Sequence, residues 1–324
     1  MKAVRLSRFG EPDVLEVVQI PEPIPGDGQI LVRVEAAGVN YFEALMRADR
    51  YAVTPALPLL LGVEVAGVVE AAGRGAESAI GTRVAIPLFA VGASGGYAEY
   101  VAVDAAAAVP IPDRVSSGVA VALLIQGLTA LRAARRYPLA GKTVLVTAAA
   151  GGVGTLLVQL LRQMGAAKII AAASKREKLD LALSLGADIA VNYADDRWSE
   201  AAKDATHGHG IDIVYDFVGG KIGSDCLPLL KQGGILVSGA LGRITFTHLD
   251  LESMAERNQS INGFALLPLL APDALQTDLA YLFDLSSTGA LNVLIDETYS
   301  LDDVAKAHRR MESRSSQGKI ILVP

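Results

Sequence analysis

The sequence predicts an α/β protein in two parts: a doubly wound parallel sheet and a second, barrel-like all-β domain. Three observations predict it. Lys142–Ala173, KTVLVTAAAGGVGTLLVQLLRQMGAAKIIAAA, reads as strand, glycine turn, helix and second strand. Strands and helices alternate after it, which builds a parallel sheet covered on both faces. Many short strands bounded by Gly and Pro precede it, as in a barrel-like β-domain.

Taken in order, Met1–Arg8 and Leu15–Gln19 read as strands around a turn at Phe9–Asp13. Pro21–Gly28 is a loop, because prolines cannot feed a ladder. Ile30–Ala37 is a half-buried strand, and a short helix lies near Glu43–Ala48. Leu61–Ala71, Arg83–Pro87 and Gly96–Val103 are further strands. Pro110 and Pro112 mark a change of regime, and Ser117–Ala134 is helical and apolar. Within the central unit Val153, Leu156, Leu157, Leu160, Leu161 and Met164 share one helix face, and Gly165 caps it. Helices follow at Arg176–Leu185, Trp198–Ala205 and Lys221–Lys231, with strands at Ile189–Tyr193, Ile211–Phe217, Ile235–Gly239 and Ser260–Phe264. The tail leaves this rhythm: a helix at Leu275–Leu285, a strand at Asn292–Tyr299, a helix at Leu301–Ser313 and a closing strand at Lys319–Val323. We assign the tail to the first domain. The expected boundaries are 1–121 with 267–324, and 122–266.

Composition narrows the function classes. The 324 residues are 51% hydrophobic, with 32 glycines, and the mean hydropathy is +0.37. That suits a large core and excludes disorder. A net charge of −6 argues against nucleic acid as a partner. The longest apolar stretches, Val119–Ile125 and Ala265–Ala271, read as too short to span a bilayer. Charges near Met1 sit where a signal peptide needs an apolar core, so the expected compartment is the cytoplasm. Cys226 is the single cysteine, which rules out an intrachain disulfide and suits a reducing compartment. His207 and His209 read as a polar turn, and no cluster has the spacing of zinc ligands.

The glycine turn carries the chemistry. Strand, tight turn and helix start aim backbone N–H groups and the positive end of a helix dipole at one spot, which suits a pyrophosphate. Ala150, Gly151, Gly152 and Val153 are the candidate contacts. Ala149 stands where G-x-G-x-x-G has its first glycine. The plainer alternative is a βαβ crossover with small residues for close packing.

The chain resembles the medium-chain dehydrogenase/reductase superfamily, and within it the zinc-free, ζ-crystallin-like quinone oxidoreductases. The resemblance rests on Ala37-Gly38-Val39-Asn40 with Glu43, Gly62-x-Glu64-x-x-Gly67, Ala148–Gly154, Val191-Asn-Tyr193, Tyr215-Asp-x-Val-Gly219 and Ser313-Arg-x-x-Gln-Gly-Lys319. It implies a GroES-like catalytic domain and a Rossmann domain. It also implies a cleft where NADPH reduces a quinone, and a homodimer through the Rossmann sheet edge. Zinc-dependent relatives carry cysteine at the position of Asn40 and histidine at Val63. Asn and Val cannot replace those ligands, so no metal is expected. Glu64 is then either an acid bonded within the fold or a catalytic group.

An NAD enzyme offers Asp or Glu to the ribose 2′-OH about 20 residues past the turn. Here the second strand ends at Ser174-Lys175-Arg176, with Lys178 beyond. A carboxylate about 4 Å from a 2′-phosphate would be repelled by up to about 4 kcal/mol at an effective dielectric near 20. Ser174 and Lys178 are therefore assigned to a 2′-phosphate, and the resemblance adds Tyr193. The alternative is a solvated helix start. Val218, Gly239, Ala240 and Leu241 lie just past strand C-termini, where ligands bind in such sheets. By resemblance these line the ribose and nicotinamide ends, the stretch at Phe264 meets the carboxamide, Gln126 and Thr129 face the nicotinamide, and Lys319 approaches from the catalytic domain. Asn40 and Tyr51 are the expected catalytic pair that orients or polarises the acceptor carbonyl. Tyr51 is alternatively an apolar wall. Glu43, Leu45 and Asp49 depart from the family on this substrate side. An enone or 2-alkenal reductase, and a catalytically silent NADPH-binding crystallin-like protein, are the rival readings.

Overall fold

The computed structural model describes residues 1–240 and 244–324. They form two compact units, Met1–Leu128 with Leu270–Pro324, and Thr129–Leu269. The expected boundaries at 121/122 and 266/267 therefore move to 128/129 and 269/270. The reason is local: Ile125 and Gln126 are tied by hydrogen bonds to Glu64 and Asn40 of the first unit.

The second unit holds a six-stranded sheet. Its elements are β1 (Thr143–Thr147), α1 (Gly152–Gln163), β2 (Lys168–Ala173), α2 (Arg176–Ser184), β3 (Ile189–Asn192), α3 (Trp198–Asp204), β4 (Ile211–Asp216), α4 (Gly220–Asp225), β5 (Leu230–Ser238), α5 (His248–Glu256) and β6 (Ser260–Gly263). The strands are parallel and lie in the order 3-2-1-4-5-6. That is the doubly wound Rossmann order, whose ligand crevice opens beside β1 and β4 where the winding reverses. Leu145, Ile170, Val214 and Leu236 fill the core. Two expectations are corrected. The helix expected over Lys221–Lys231 ends at Asp225, and Leu230 already pairs with Ile211 in β5. Helix α5 was not expected, although Thr247 and Asp250 form its capping box.

The first unit is mainly antiparallel. One sheet orders Ile295–Ser300, Lys319–Val323, Gln29–Val39, Val65–Ala72, Arg83–Ile86 and Val109–Pro110, with Tyr100–Asp104 paired onto Gln29–Val39. A three-stranded sheet joins Leu15–Gln19, Lys2–Leu6 and Leu59–Leu60. Strand 61–64, expected from the sequence, is absent, because pairing begins at Val65. The closing strand pairs Ile320 with Val39 and Leu322 with Ala37. That register brings Lys319 to Asn40 across nearly the whole chain.

The helical run Ser117–Ala134 is long and apolar enough to cross a bilayer by length and composition, with 67% of it buried. The sequence reading, which judged shorter apolar stretches one by one, is corrected on that point. Its burial within the protein is that of a core helix. Residues Leu123–Gly127 within it form a π-helical turn.

Candidate active site

In the Rossmann unit, α1 starts straight from the turn after β1. Its N-cap is Gly151, which has no side chain to occupy the first-turn N–H groups. Gly154 is required by close approach: a Cβ there would lie 2.3 Å from Ala148 O and 2.7 Å from Ala149 Cα. Ala148 itself has φ +49°, a left-handed conformation that costs a non-glycine residue about 1 kcal/mol or more. The sequence thus keeps the shape of a phosphate turn with alanines where glycines are usual. Backbone N–H groups at a helix start, beside the switch point of the sheet, fit a pyrophosphate.

The 2′ end is built from neighbouring strand ends. Tyr193 N–H donates to Ala173 O at 3.0 Å, so Ser174 and Tyr193 leave β2 and β3 side by side. Lys178 lies in the first turn of α2 and is 9% exposed, whereas Lys175 and Arg176 are exposed. The alternative of a solvated helix start therefore holds for those two and fails for Lys178. No acid ends β2.

Sequence reasoning missed the clamp that shapes the crevice. Asp216 ends β4 and accepts Thr147 Oγ1 at 2.8 Å, Val218 N–H at 3.0 Å and Gly219 N–H at 3.1 Å. Thr147 Oγ1 in turn accepts Phe217 N–H at 2.9 Å. One buried carboxylate thus fixes the loop after β4. Gly239 lies against the Phe217 ring, which meets Phe264 edge-on at 6.3 Å. Val218, Gly239, Ala240 and Phe264 are all partly exposed at this end of the sheet. Leu241 lies outside the described residues, and Thr129 is buried at 9% exposure.

The first unit contains a buried polar cluster. Lys319 Nζ donates to Asn40 Oδ1 at 2.9 Å, to Gln126 Oε1 at 2.9 Å and to Glu64 Oε1. Asn40 Nδ2 donates to Glu43 Oε2 and Glu64 Oε1, both at 3.0 Å. Gln126 Nε2 donates to Asn40 Oδ1 at 2.8 Å, and Ile125 N–H to Glu64 Oε2 at 3.0 Å. Gly38 makes room: a Cβ there would sit 2.2 Å from Glu64 Oε1. Glu64 is thus an acid bonded within the fold. Glu43 also accepts Gly62 N–H at 3.0 Å and Tyr97 OH at 2.9 Å. Burial pushes the Glu43 carboxyl from 4.5 up to about 7, against the hydrogen bonds from Asn40 and Tyr97. The Tyr97 ring meets His308 edge-on at 6.2 Å, and burial, then the Arg47 charge, lower that imidazole to about 3.

This geometry corrects one expectation. Asn40 is 1% exposed and both its amide hydrogens are committed, so it has none to offer an acceptor carbonyl. Tyr51 is partly exposed, with its ring 5.7 Å from Phe42 and no hydrogen bond from its hydroxyl among the described residues. Asp49 takes φ +51°, in the left-handed region that favours glycine.

Comparison with known proteins agrees with both units. Residues 26–113 match the alcohol dehydrogenase GroES-like domain, and residues 185–322 match the zinc-binding dehydrogenase domain. Human quinone oxidoreductase is 34% identical over 329 residues, covering 100% of this chain and 98% of that protein. The chain belongs to the quinone oxidoreductase family of medium-chain dehydrogenases/reductases. A probable quinone oxidoreductase of Schizosaccharomyces pombe is 33% identical over 99% of this chain and 96% of the relative. Escherichia coli quinone oxidoreductase complexed with NADPH superposes with a TM-score of 0.90 at 29% identity, each chain fully covered. The quinone oxidoreductase of Thermus thermophilus gives 0.84 at 36% identity, again over both whole chains.

The matched domain family is a zinc-binding one, and the donor set here does not fit the metal. By the family resemblance, Asn40 and Val63 stand where zinc-dependent relatives supply thiolate and imidazole. Both Glu64 oxygens accept hydrogen bonds, one of them from the Lys319 ammonium. Among the described residues no group of three or more His, Cys, Asp or Glu is arranged to hold a metal.

Proposed function

We propose that this protein is a zinc-independent oxidoreductase that transfers hydride from NADPH to a quinone. The observation that carries the reading is the full-length match, across both units, to quinone oxidoreductases. Bound NADPH supplies the hydride. The N–H groups of Gly152 and Val153, with the turn at Ala150 and Gly151, hold its pyrophosphate. Ser174, Lys178 and Tyr193 hold the 2′-phosphate, beside a strand β2 that ends without a carboxylate. Val218, on the loop that the Asp216 carboxylate holds, lines the ribose and nicotinamide ends together with Gly239, Ala240, Leu241 and Phe264. Tyr51 orients the acceptor. Lys319 Nζ is bonded to Glu64 Oε1, so that carboxylate is committed to a cation within the fold, which suits hydride transfer without a Lewis acid.

We further place the protein in the cytoplasm, where a single buried, free Cys226 suits reducing conditions. We assign it a homodimer through β6, an outer strand of the sheet that pairs only with β5 among the described strands. Light scattering tests the dimer: a mass of one chain refutes it. The activity is tested by NADPH oxidation with a quinone and, in parallel, an α,β-unsaturated ketone. Faster turnover of the quinone supports the reading. Preference for the ketone transfers it to enone reduction, and NADPH binding without oxidation by any acceptor supports a silent binding protein.

A further inference from the structure

We propose that Asp216 is the positioning residue for the nicotinamide-side half of the cofactor. Its carboxylate fills an anion nest in the loop after β4 and, through Thr147, locks that loop across the switch point of the sheet. The proposal rests on the reading that the Rossmann unit binds NADPH.

Topology sets the place. A doubly wound sheet is two mononucleotide-binding halves, and a dinucleotide lies across the crevice where they meet. In the order 3-2-1-4-5-6, β1 borders one half and β4 the other. Val146 pairs with Tyr215, so Thr147 and Asp216 leave the sheet side by side. Thr147 Oγ1 donates to Asp216 Oδ1 at 2.8 Å, and both residues are fully buried. That bond ties the two halves together at the switch point. From Thr147 the chain runs straight into the phosphate turn, and from Asp216 straight into the loop 217–219.

The loop's backbone calls for an anion. Three successive N–H groups converge on this pair. Phe217 N–H donates to Thr147 Oγ1 at 2.9 Å and Val218 N–H to Asp216 Oδ1 at 3.0 Å. Gly219 N–H donates to both Asp216 oxygens, at 3.2 and 3.1 Å. Successive N–H groups turned to one point form a nest that binds anions such as phosphate. Gly219 has φ +75°, which lets the chain make the turn. Gly223 leaves the space: a Cβ there would lie 2.6 Å from Asp216 Oδ2. The hydrogen-bond donors to this carboxylate among the described residues are the Thr147 hydroxyl and these N–H groups, with no lysine or arginine. The chain thus supplies the nest with its own anion.

The first half is built the opposite way. The N-cap of α1 is Gly151, so no side chain takes the first-turn N–H groups there. Those groups are open to a pyrophosphate, and the nest after β4 is closed to one. Phosphate is thereby directed to one side of the switch point. The uncharged ribose and reduced nicotinamide are left for the other. A loop held in place also spares the cofactor the work of ordering it. A site in its binding arrangement only a tenth of the time binds about tenfold more weakly.

The test is calorimetric binding to the full-length protein with no quinone present. The ligands are NADPH and adenosine 2′,5′-bisphosphate, the fragment that fills the first half alone. Asp216→Ala and Thr147→Val should each raise the NADPH Kd about tenfold, as the loop loses its fixed arrangement. The fragment Kd should stay within about twofold, and Thr147→Ser, which keeps the hydroxyl, should bind NADPH within about twofold of wild type. Sodium formate, compared with sodium chloride at equal ionic strength, tests the nest. Formate should lower the NADPH Kd of Asp216→Ala about threefold or more by refilling the nest, and should not lower that of wild type. The assignment is overturned if Asp216→Ala and Thr147→Val bind NADPH within about twofold of wild type. It is overturned too if the fragment loses as much affinity as NADPH, which makes the bridge a general prop of the fold. Formate acting alike on Asp216→Ala and wild type overturns it as well. Should Asp216→Ala fail to fold, the two Thr147 variants decide with the same pair of ligands. A wild-type protein that binds neither NADPH nor the fragment overturns the underlying reading, and the assignment with it.

Discussion

Glu43 offers a direct thermodynamic test of the buried cluster. The carboxyl is fully buried and lifted from 4.5 to about 7, chiefly by burial, with Glu64 adding to the rise and Asn40, Tyr97 and Lys319 opposing it. A carboxyl whose folded pKa exceeds its unfolded value binds more protons folded than unfolded in the interval between them. Stability therefore falls as pH rises through that window. At about 1.4 kcal/mol per pH unit, the interval from 4.5 to about 7 is worth about 3 kcal/mol, present below the window and lost above it. The perturbation is Glu43→Gln, which keeps the shape and removes the titration. It has its own cost of about 1–3 kcal/mol, because an amide nitrogen would face Gly62 N–H or the Asn40 amide and leave a buried donor unpaired. That cost is nearly independent of pH. Urea unfolding of both proteins by circular dichroism at pH 4.5, 5.5, 6.5 and 7.5 reads the difference. Wild-type stability should fall relative to the variant by about 3 kcal/mol across the series. Parallel pH curves would refute the reasoning and show that Glu43 is ionised throughout.

Two other substitutions test the second unit. Lys178→Ala should raise the KM for NADPH at least tenfold and that for NADH less than threefold, in steady-state assays with either cofactor; equal losses would remove its 2′-phosphate role. Gly154→Ala places a methyl 2.3 Å from Ala148 O. It should destabilise the protein by about 1–3 kcal/mol in denaturant titration, as overpacking does, and weaken NADPH binding in the same sample.

The central βαβ unit was legible because its signals are local. A β-branched run, a glycine turn and a 3.6-residue apolar stripe need no distant partner to be read. The strand ends at Ser174 and Tyr193 followed from it. The return of the tail was legible from the change of rhythm, but not the register that sets Ile320 opposite Val39. That register decides the site. Asn40, Glu64, Gln126 and Lys319 were each named from the sequence, yet what each bonds depends on a strand pair almost 280 residues apart in the chain. Hence Asn40 was read as a donor when its hydrogens are already committed. The π-turn at Leu123–Gly127 left no mark in an apolar periodicity. The Thr147–Asp216 clamp joins two strands that only the 3-2-1-4 order makes neighbours. Helix α5 was a different failure: its capping box, Thr247 to Asp250, stood in the sequence and went unread.

The central claim is hydride delivery from NADPH to a quinone without a metal. The most direct measurement is quinone-dependent NADPH oxidation by protein dialysed against a strong chelator, with zinc measured in the same sample. The account predicts full activity with far less than one zinc per chain, unchanged when zinc is restored. Activity that disappears on dialysis and returns with one zinc per chain would contradict it.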